Sequence, residues 1–246
     1  MAPEVFVPDW AAPANVRALQ TTRRGGVSGG PWASLNLGDH VGDDPAAVSA
    51  NRAALRALLP AEPAWLRQVH GTVAVDAAPG PETPEADAAW SRRPGRVCVV
   101  MTADCLPVLL CDRRGTVVAA AHAGWRGLLA GVLESTVAAM RAPPGELLAW
   151  LGPAIGRRRF EVGEEVRNAF AAREAGAAAA FAPHGPGKWL CDLGELARRR
   201  LRGIGVTAVA GGDACTVEDG ERYFSYRRDG KTGRMATLIW LERAGV

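Results

Sequence analysis

The chain is expected to fold as α/β (α+β), a mixed β-sheet flanked by helices, and three observations carry that expectation. Apolar, β-branched runs of strand length recur at residues 65–69, 97–101, 106–110, 116–121, 147–151, 206–210 and 236–241. Segments with helical periodicity and recognisable start signals fall between several of them. No internal repeat or low-complexity linker divides residues 1–246, so one domain is expected.

Taken in order, the first helix opens at Asp43-Asp44-Pro45, a cap followed by proline at an early helical position, and runs through Val48, Leu55, Leu58 and Leu59. The 65–69 run ends at His70-Gly71. Residues 77–96, rich in proline and charge, are expected to form a long excursion. Two apolar runs flank Asp112-Arg113-Arg114-Gly115 and predict a hairpin. Leu128–Met140 and Gly163–Ala172 supply the second and third helices. Residues 175–188 join an alanine run to Pro183, Gly185, Pro186 and Gly187 and are expected to be slack. A fourth helix, Asp192–Leu201, opens with the capping pair Asp192 and Glu195.

Composition narrows the function. There are 246 residues, 29 Lys and Arg against 26 Asp and Glu, for a net charge of +3. So small an excess does not point to nucleic acid as a partner. No apolar stretch is long enough for a membrane helix, and the N-terminus lacks a signal-peptide pattern, so a cytoplasmic protein is expected. Five cysteines, at 98, 105, 111, 191 and 215, are odd in number and irregularly spaced, so they are expected to be thiols rather than a disulfide framework. Cys98 and Cys111 are expected to pack in strands, and Cys191 and Cys215 to border loops. The four histidines, His40, His70, His122 and His184, limit any chemistry built on imidazole.

Closing the hairpin at Asp112/Gly115 or at Cys111/Thr116 opposes residues whose numbers sum to 227, and Cys105 and His122 satisfy that sum. Opposed Cβ atoms on one face lie roughly 4.5–5.5 Å apart, which lets a thiolate and an imidazole share one ion. Pro107 argues that its strand start is unpaired or at an edge. His70, ending another apolar run before a glycine, is a candidate third ligand. Two imidazoles and a thiolate leave the fourth tetrahedral position open, as in a catalytic zinc site. The same atoms also suit a thiol nucleophile: Cys105, His122 as base, and Asp104 or another carboxylate orienting the imidazole. After His122, Ala-Gly-Trp-Arg-Gly feeds a helix start, where Arg126 suits an anion. Two further loops rich in Gly, Arg and hydroxyl residues, one holding Arg23 and Asn36 and the other Arg227 and Arg228, have the composition of phosphate sites.

Together the segments TTRRGGVSGGPWASLNLGDHVGDD, WLRQVHGTVAV, EADA, MTADCLPVLL, AAAHAGWRGLLAGVLE, WLGPAIG, FEVGEEV, CDLGELAR and FSYRRDGKTGRMATLIW resemble the YfiH/laccase-domain family, over about residues 17 to 241. That resemblance implies a single α/β domain with a metal held by His70, Cys105 and His122, zinc being expected and copper the alternative. It implies phosphorolysis of adenosine, inosine and methylthioadenosine, zinc-assisted adenosine deamination, purine nucleosides and phosphate as partners, and for some bacterial members peptidoglycan editing. The quaternary state is expected to be a monomer or a homodimer. Four histidines cannot furnish the mononuclear and trinuclear sites of a multicopper oxidase within one subunit. The mechanism expected from this combination puts water or a phosphate oxygen in the open metal position. Arg23, Arg126 and one of Arg227 or Arg228 neutralise the phosphate, Asn36 contributes to the substrate site, and Asp104 shuttles a proton. A Cys105-dependent amidase acting on a cell-wall precursor, a copper polyphenol oxidase (laccase) and a non-catalytic sensor are the alternatives.

Overall fold

The computed structural model describes residues 2–78, 80 and 82–242; Met1, Pro79, Pro81 and residues 243–246 lie outside it. Its strands are β1 (Val5–Phe6), β2 (Val16–Thr21), β3 (Pro63–Ala64), β4 (Ala74–Asp76), β5 (Ala88–Ser91), β6 (Val97–Thr102), β7 (Leu106–Asp112), β8 (Val118–Ala123), β9 (Leu147–Leu151), β10 (Glu161–Gly163), β11 (Phe181–Pro183), β12 (Lys188–Cys191), β13 (Ala208–Gly211) and β14 (Met235–Leu241). The helices are α1 (Pro45–Arg56), α2 (Trp125–Ala130), α3 (Val132–Met140), α4 (Glu164–Arg173), α5 (Leu193–Gly203) and α6 (Tyr226–Asp229). Among the described residues no helix is long and apolar enough to cross a membrane.

The expected mixed sheet is two principal sheets packed face to face, a five-stranded one ordered β1-β2-β14-β6-β3 and a six-stranded one ordered β13-β9-β7-β8-β5-β4, with a small β10-β12-β11 sheet beside them. Period-2 alternation distributes each strand between layers. In β14, Ile239 and Leu241 point into the space between the sheets, where Cys98, Val100, Leu109, Cys111 and Val118 also pack. Its Leu238 and Trp240 face outward against Leu35, Leu37 and Leu55, the last of these on α1. The outer face of the six-stranded sheet, carrying Val108, Leu110, Ala119 and Ala121, packs on Leu128, Val137, Val166 and Leu196 from α2 to α5. Strands buried on both faces read as continuous apolar runs, which is why 97–101 and 106–110 are legible. Cys191, expected to border a loop, is instead buried at the end of β12.

Helix starts behave as the caps dictate. Asp44 caps α1 by accepting the Ala46 N–H at 2.9 Å, and Asp192 caps α5 by accepting that of Glu195 at 2.8 Å. The segment 128–140 is two helices rather than one, because Gly131 takes φ 111°, a left-handed conformation that ends α2 and restarts the chain as α3.

Three further expectations are corrected. Residues 65–69 form no strand apart from an isolated bridge at Arg67; hydrogen bonds through the Gln68 and Asp87 side chains, rather than a strand ladder, tie the end of this segment down. Gln68 accepts from the Met101 N–H and donates to the Met101 carbonyl, both at 2.8 Å, and Asp87 takes the N–H groups that follow. The 77–96 excursion contains β5, an interior strand between β4 and β8, whose Ala88 and Ala89 are fully buried. Alanine carries little strand signal, so this segment reads as loop.

The third correction concerns the hairpin. Its pairs Leu106↔Ala123 and Cys111↔Val118 sum to 229, not 227. The Asp112 carboxylate draws the turn wider by accepting the N–H groups of Thr116 and Val117 and the Thr116 hydroxyl, at 2.6–3.0 Å. His122 therefore opposes Pro107, and Cys105, one residue before β7, stands level with Gly124. The shift is even, so no side chain changes face. Pro107 lies in an interior strand, one residue past the last β7–β9 pair, Val108↔Leu151, where its missing N–H ends the ladder and leaves its carbonyl to accept from Gly152 at 2.9 Å.

Candidate metal centre

The open ends of β7 and β8 meet the 68–71 loop at one place. His122 sits near the end of β8, Cys105 precedes β7, and His70 occupies a left-handed backbone position, φ 60°. One ligand atom from each lies within 4.8 Å of the others. Cys105 Sγ is 3.6 Å from His70 Nε2, and the two imidazole rings meet edge-on with centroids 4.7 Å apart. A tetrahedral ion with bonds of about 2.05 Å to nitrogen and 2.3 Å to sulfur needs an N···S separation of about 3.5–3.6 Å. The Cys105–His70 separation matches that requirement, and the donor set of two imidazoles and a thiolate suits one borderline-soft ion, zinc or copper.

Asp87 holds this geometry. Its fully buried carboxylate accepts the N–H groups of Val69, His70 and Gly71 at 3.2, 2.9 and 2.6 Å. It also accepts His122 Nδ1 at 2.8 Å, while the Asp87 carbonyl takes the His122 N–H at 2.7 Å. One side chain thus fixes the loop that carries His70 and the tautomer of His122, leaving Nε2 to face the site. Burial alone would raise the Asp87 carboxyl; the hydrogen bonds from His122, Gly71 and Val69 outweigh it and hold the group below the ordinary carboxylate range. Gly124 completes the cradle, since a Cβ there would lie 2.8 Å from His70 Cδ2 and 2.9 Å from Cys105 Sγ.

Cys105 and His122 are electrostatically one unit. Burial pushes the thiol up, but the charge of His122 and hydrogen bonds from both imidazoles bring it down to about 6. Burial likewise opposes protonation of His122, and the Cys105 thiolate with the Asp87 carboxylate raises it to about 9. The other buried thiols go the opposite way, Cys111 being pushed up to about 12 by burial.

The remaining candidate residues are placed as follows. Both Asp104 oxygens are engaged, one by the Thr216 hydroxyl and one by the Arg227 N–H, each at 2.6 Å, so the side chain braces the chain just before Cys105. Asn36 is fully buried and ties Gly38, Asp43 and Arg234 together. Arg23 donates to the carbonyls of Ala33 and Gly220 and stacks on Phe224. Arg228 is spent on the carbonyls of Thr216, Val217 and Tyr223 and on Asp229. Arg227 donates one nitrogen to the Glu161 carbonyl, and Arg126 is exposed and stacked on Trp125 at 4.4 Å; among the described residues both keep unbonded guanidinium nitrogens. His40 and His184 lie elsewhere, beside Asp39 and Glu161. Asp87 was not singled out from the sequence, although it is the aspartate of the EADA segment; a carboxylate remote in sequence gives no local sign of the imidazole it will meet.

Residues 17–242 match the family described as multi-copper polyphenol oxidoreductase laccase. The chain belongs to that family. A Pseudomonas aeruginosa relative named purine nucleoside phosphorylase is 59% identical over 238 residues, 96% of this chain and 98% of its own. The Escherichia coli protein named purine nucleoside phosphorylase YfiH is 56% identical over 241 residues, 97% and 99% of the two chains. A Neisseria meningitidis crystal structure superposes with a TM-score of 0.95 at 55% identity, covering 97% of this chain and 99% of that one. The family description speaks of several coppers, whereas this laccase-domain chain gathers one cluster of three ligands among its described residues. Its remaining imidazoles, on His40 and His184, are not part of that cluster, so a trinuclear copper site does not fit within the chain.

Proposed function

We propose that this chain is a zinc-dependent purine nucleoside phosphorylase that converts adenosine, inosine and S-methyl-5′-thioadenosine with phosphate to free base and the ribose 1-phosphate, and that it also deaminates adenosine. The observation that carries the reading is the grouping of one ligand atom each from His70, Cys105 and His122 within 4.8 Å of one another. The names of the relatives supply the substrate class. Bound zinc supplies Lewis acidity and lowers the pKa of a coordinated water to roughly 7.

In phosphorolysis a phosphate oxygen forms the new bond to C1′. The bond from C1′ to the purine nitrogen breaks, its electron pair leaving with the base, which takes up a proton. His70, Cys105 and His122 would hold the ion, Asp87 orients His122, and Arg126 and Arg227 keep unbonded guanidinium nitrogens to offer an anion. The test is metal analysis of wild type and Cys105→Ala, paired with an adenosine assay with and without phosphate that resolves adenine from inosine. About one zinc per chain, lost in the variant together with phosphate-dependent adenine release, is the expected result. A metal-free wild type that forms neither product overturns it.

A second reading rests on the continuous Asp87–His122–Cys105 chain of contacts, the geometry of an oriented base beside a thiol nucleophile. It would make the protein an amidase acting on a cell-wall precursor. Turnover of such an amide by metal-free protein, abolished in Cys105→Ala, would favour it.

A further inference from the structure

A pocket of about 320 Å³ lies on the Asp104 side of Cys105, lined by His40, Tyr226, Lys231, Thr232 and Arg234 among others. Two registers place it there. Met235 pairs with Thr102, so Arg234, one residue earlier, stands level with Ala103, two residues from the thiol. Tyr226 immediately precedes Arg227, whose N–H is held by the Asp104 carboxylate.

The lining has a definite charge: Lys231 and Arg234 with no carboxylate among the residues that form it. The cleft around Cys215 differs, since its Arg157, Arg158 and Arg198 are matched by Asp192, Asp213 and Glu218. Arg234 is also prepared for an oxyanion. Its backbone N–H is fixed by Asn36 at 2.9 Å, and one guanidinium nitrogen is anchored on the carbonyls of Thr232 and Gly233 at 3.2 and 3.0 Å. The other two guanidinium nitrogens have no partner among the described residues. Packing of its stem against Gly38, where a Cβ would come within 2.8 Å of Arg234 Cγ, sets the direction of the side chain. The neighbouring Thr232 is 2% exposed and its hydroxyl has no hydrogen-bond partner among the described residues, an arrangement that costs free energy unless a polar group meets it. Burial lowers the pKa of Arg234, while the negative charges of Cys105 and Asp104 pull it up, which places the guanidinium beside the candidate metal centre.

We infer that this pocket is the phosphate subsite of the reaction, with Arg234 as the principal phosphate-binding residue and Thr232 and Lys231 as its partners. The proposal rests on the phosphorylase reading. In this assignment Asn36, whose amide and carbonyl are consumed within the protein, is a positioning residue that anchors the Arg234 backbone.

The test uses metal-loaded wild type, Arg234→Gln, Arg234→Lys and Thr232→Val, with metal content and melting temperature as controls for folding. A hydrogen bond to a charged group is worth a factor of roughly 10 to 100. The phosphate KM of Arg234→Gln should therefore rise by about that factor, with the adenosine KM within about twofold, and Arg234→Lys should recover part of the loss. An unchanged phosphate KM, or a rise confined to the adenosine KM, overturns the assignment. Direct binding of inorganic phosphate, followed by calorimetry, separates this proposal from the parent reading. If wild type performs no phosphorolysis but binds phosphate, and Arg234→Gln does not, the subsite stands while the phosphorylase reading falls. If wild type binds no phosphate, or binds adenosine monophosphate in this pocket in preference to it, the subsite falls.

Discussion

Replacing Asp87 by asparagine removes one charge and almost no volume, and the structure allows its consequence to be worked out. One carboxylate oxygen accepts from His70 N–H and His122 Nδ1, the other from the N–H groups of Val69 and Gly71. The asparagine amide has one acceptor oxygen. In one orientation its NH2 group faces the two loop donors; in the other it faces His70 N–H and the imidazole, driving the His122 proton to Nε2, where it blocks a metal. Either way two hydrogen bonds to a charged acceptor are lost, at about 1.5–3 kcal/mol each before relaxation. Part of the loss falls on folding and part on the metal. Removing an outer partner of a ligating imidazole typically weakens metal affinity about 10–100-fold, or about 1.4–2.7 kcal/mol. Competition of Asp87→Asn and wild type against a chromophoric chelator measures that share, and thermal melts of the metal-free proteins measure the other. A variant that binds zinc within twofold of wild type and melts at the same temperature would refute the role given to Asp87.

Four other outcomes follow from the same contacts. The Asp87 carboxyl is held below its unfolded value, so the stability it contributes is complete above about pH 3.9 and is lost as pH falls through the lower folded value; wild type should show this acid-side loss and Asp87→Asn should not. In metal-free protein Cys105 should be alkylated by iodoacetamide with a midpoint near pH 6, ahead of Cys98, Cys111 and Cys191, and bound zinc should protect it; a midpoint above 8 would contradict the thiolate–imidazolium pairing. Gly124→Ala puts a methyl group against two ligands and should lose most metal while keeping native circular dichroism; full metal occupancy would show that the cradle yields. Leu109→Ala, between the two sheets, should lower stability in urea by about 2–5 kcal/mol while leaving metal stoichiometry intact, and a loss of metal at native stability would mean that the core and the site are not separable.

Local signals were legible where physics acts over a few residues. The caps at Asp44 and Asp192, the strands at 97–102, 147–151 and 235–241, and the hairpin itself depend on side chains close to the backbone they govern. The thiol and imidazole at the mouth of that hairpin were also legible, and the two-residue error in register did not separate them, because an even shift preserves the face. The alanine-rich strand β5 and the loop at 65–70 were not legible. Their partners come from elsewhere in the chain: β8 and β4 flank Ala88 and Ala89, the Asp87 carboxylate accepts the N–H groups of residues 69–71, and the Gln68 side chain bonds the Met101 backbone.

The same division holds for the site. Composition limited the chain to few imidazoles, and the placement of His70, Cys105 and His122 at the ends of apolar runs determined which of them were available as ligands. Only the tertiary structure decided which carboxylate orients His122 and which arginines keep free nitrogens. Asp87 is 35 residues from His122 in sequence and 2.8 Å from it in space; Arg228 is spent on three carbonyls and the Asp229 carboxylate, whereas Arg234 commits one nitrogen to two carbonyls. A side chain's type fixes what it can donate or accept; whether those atoms are already spent depends on long-range packing, which local sequence does not encode.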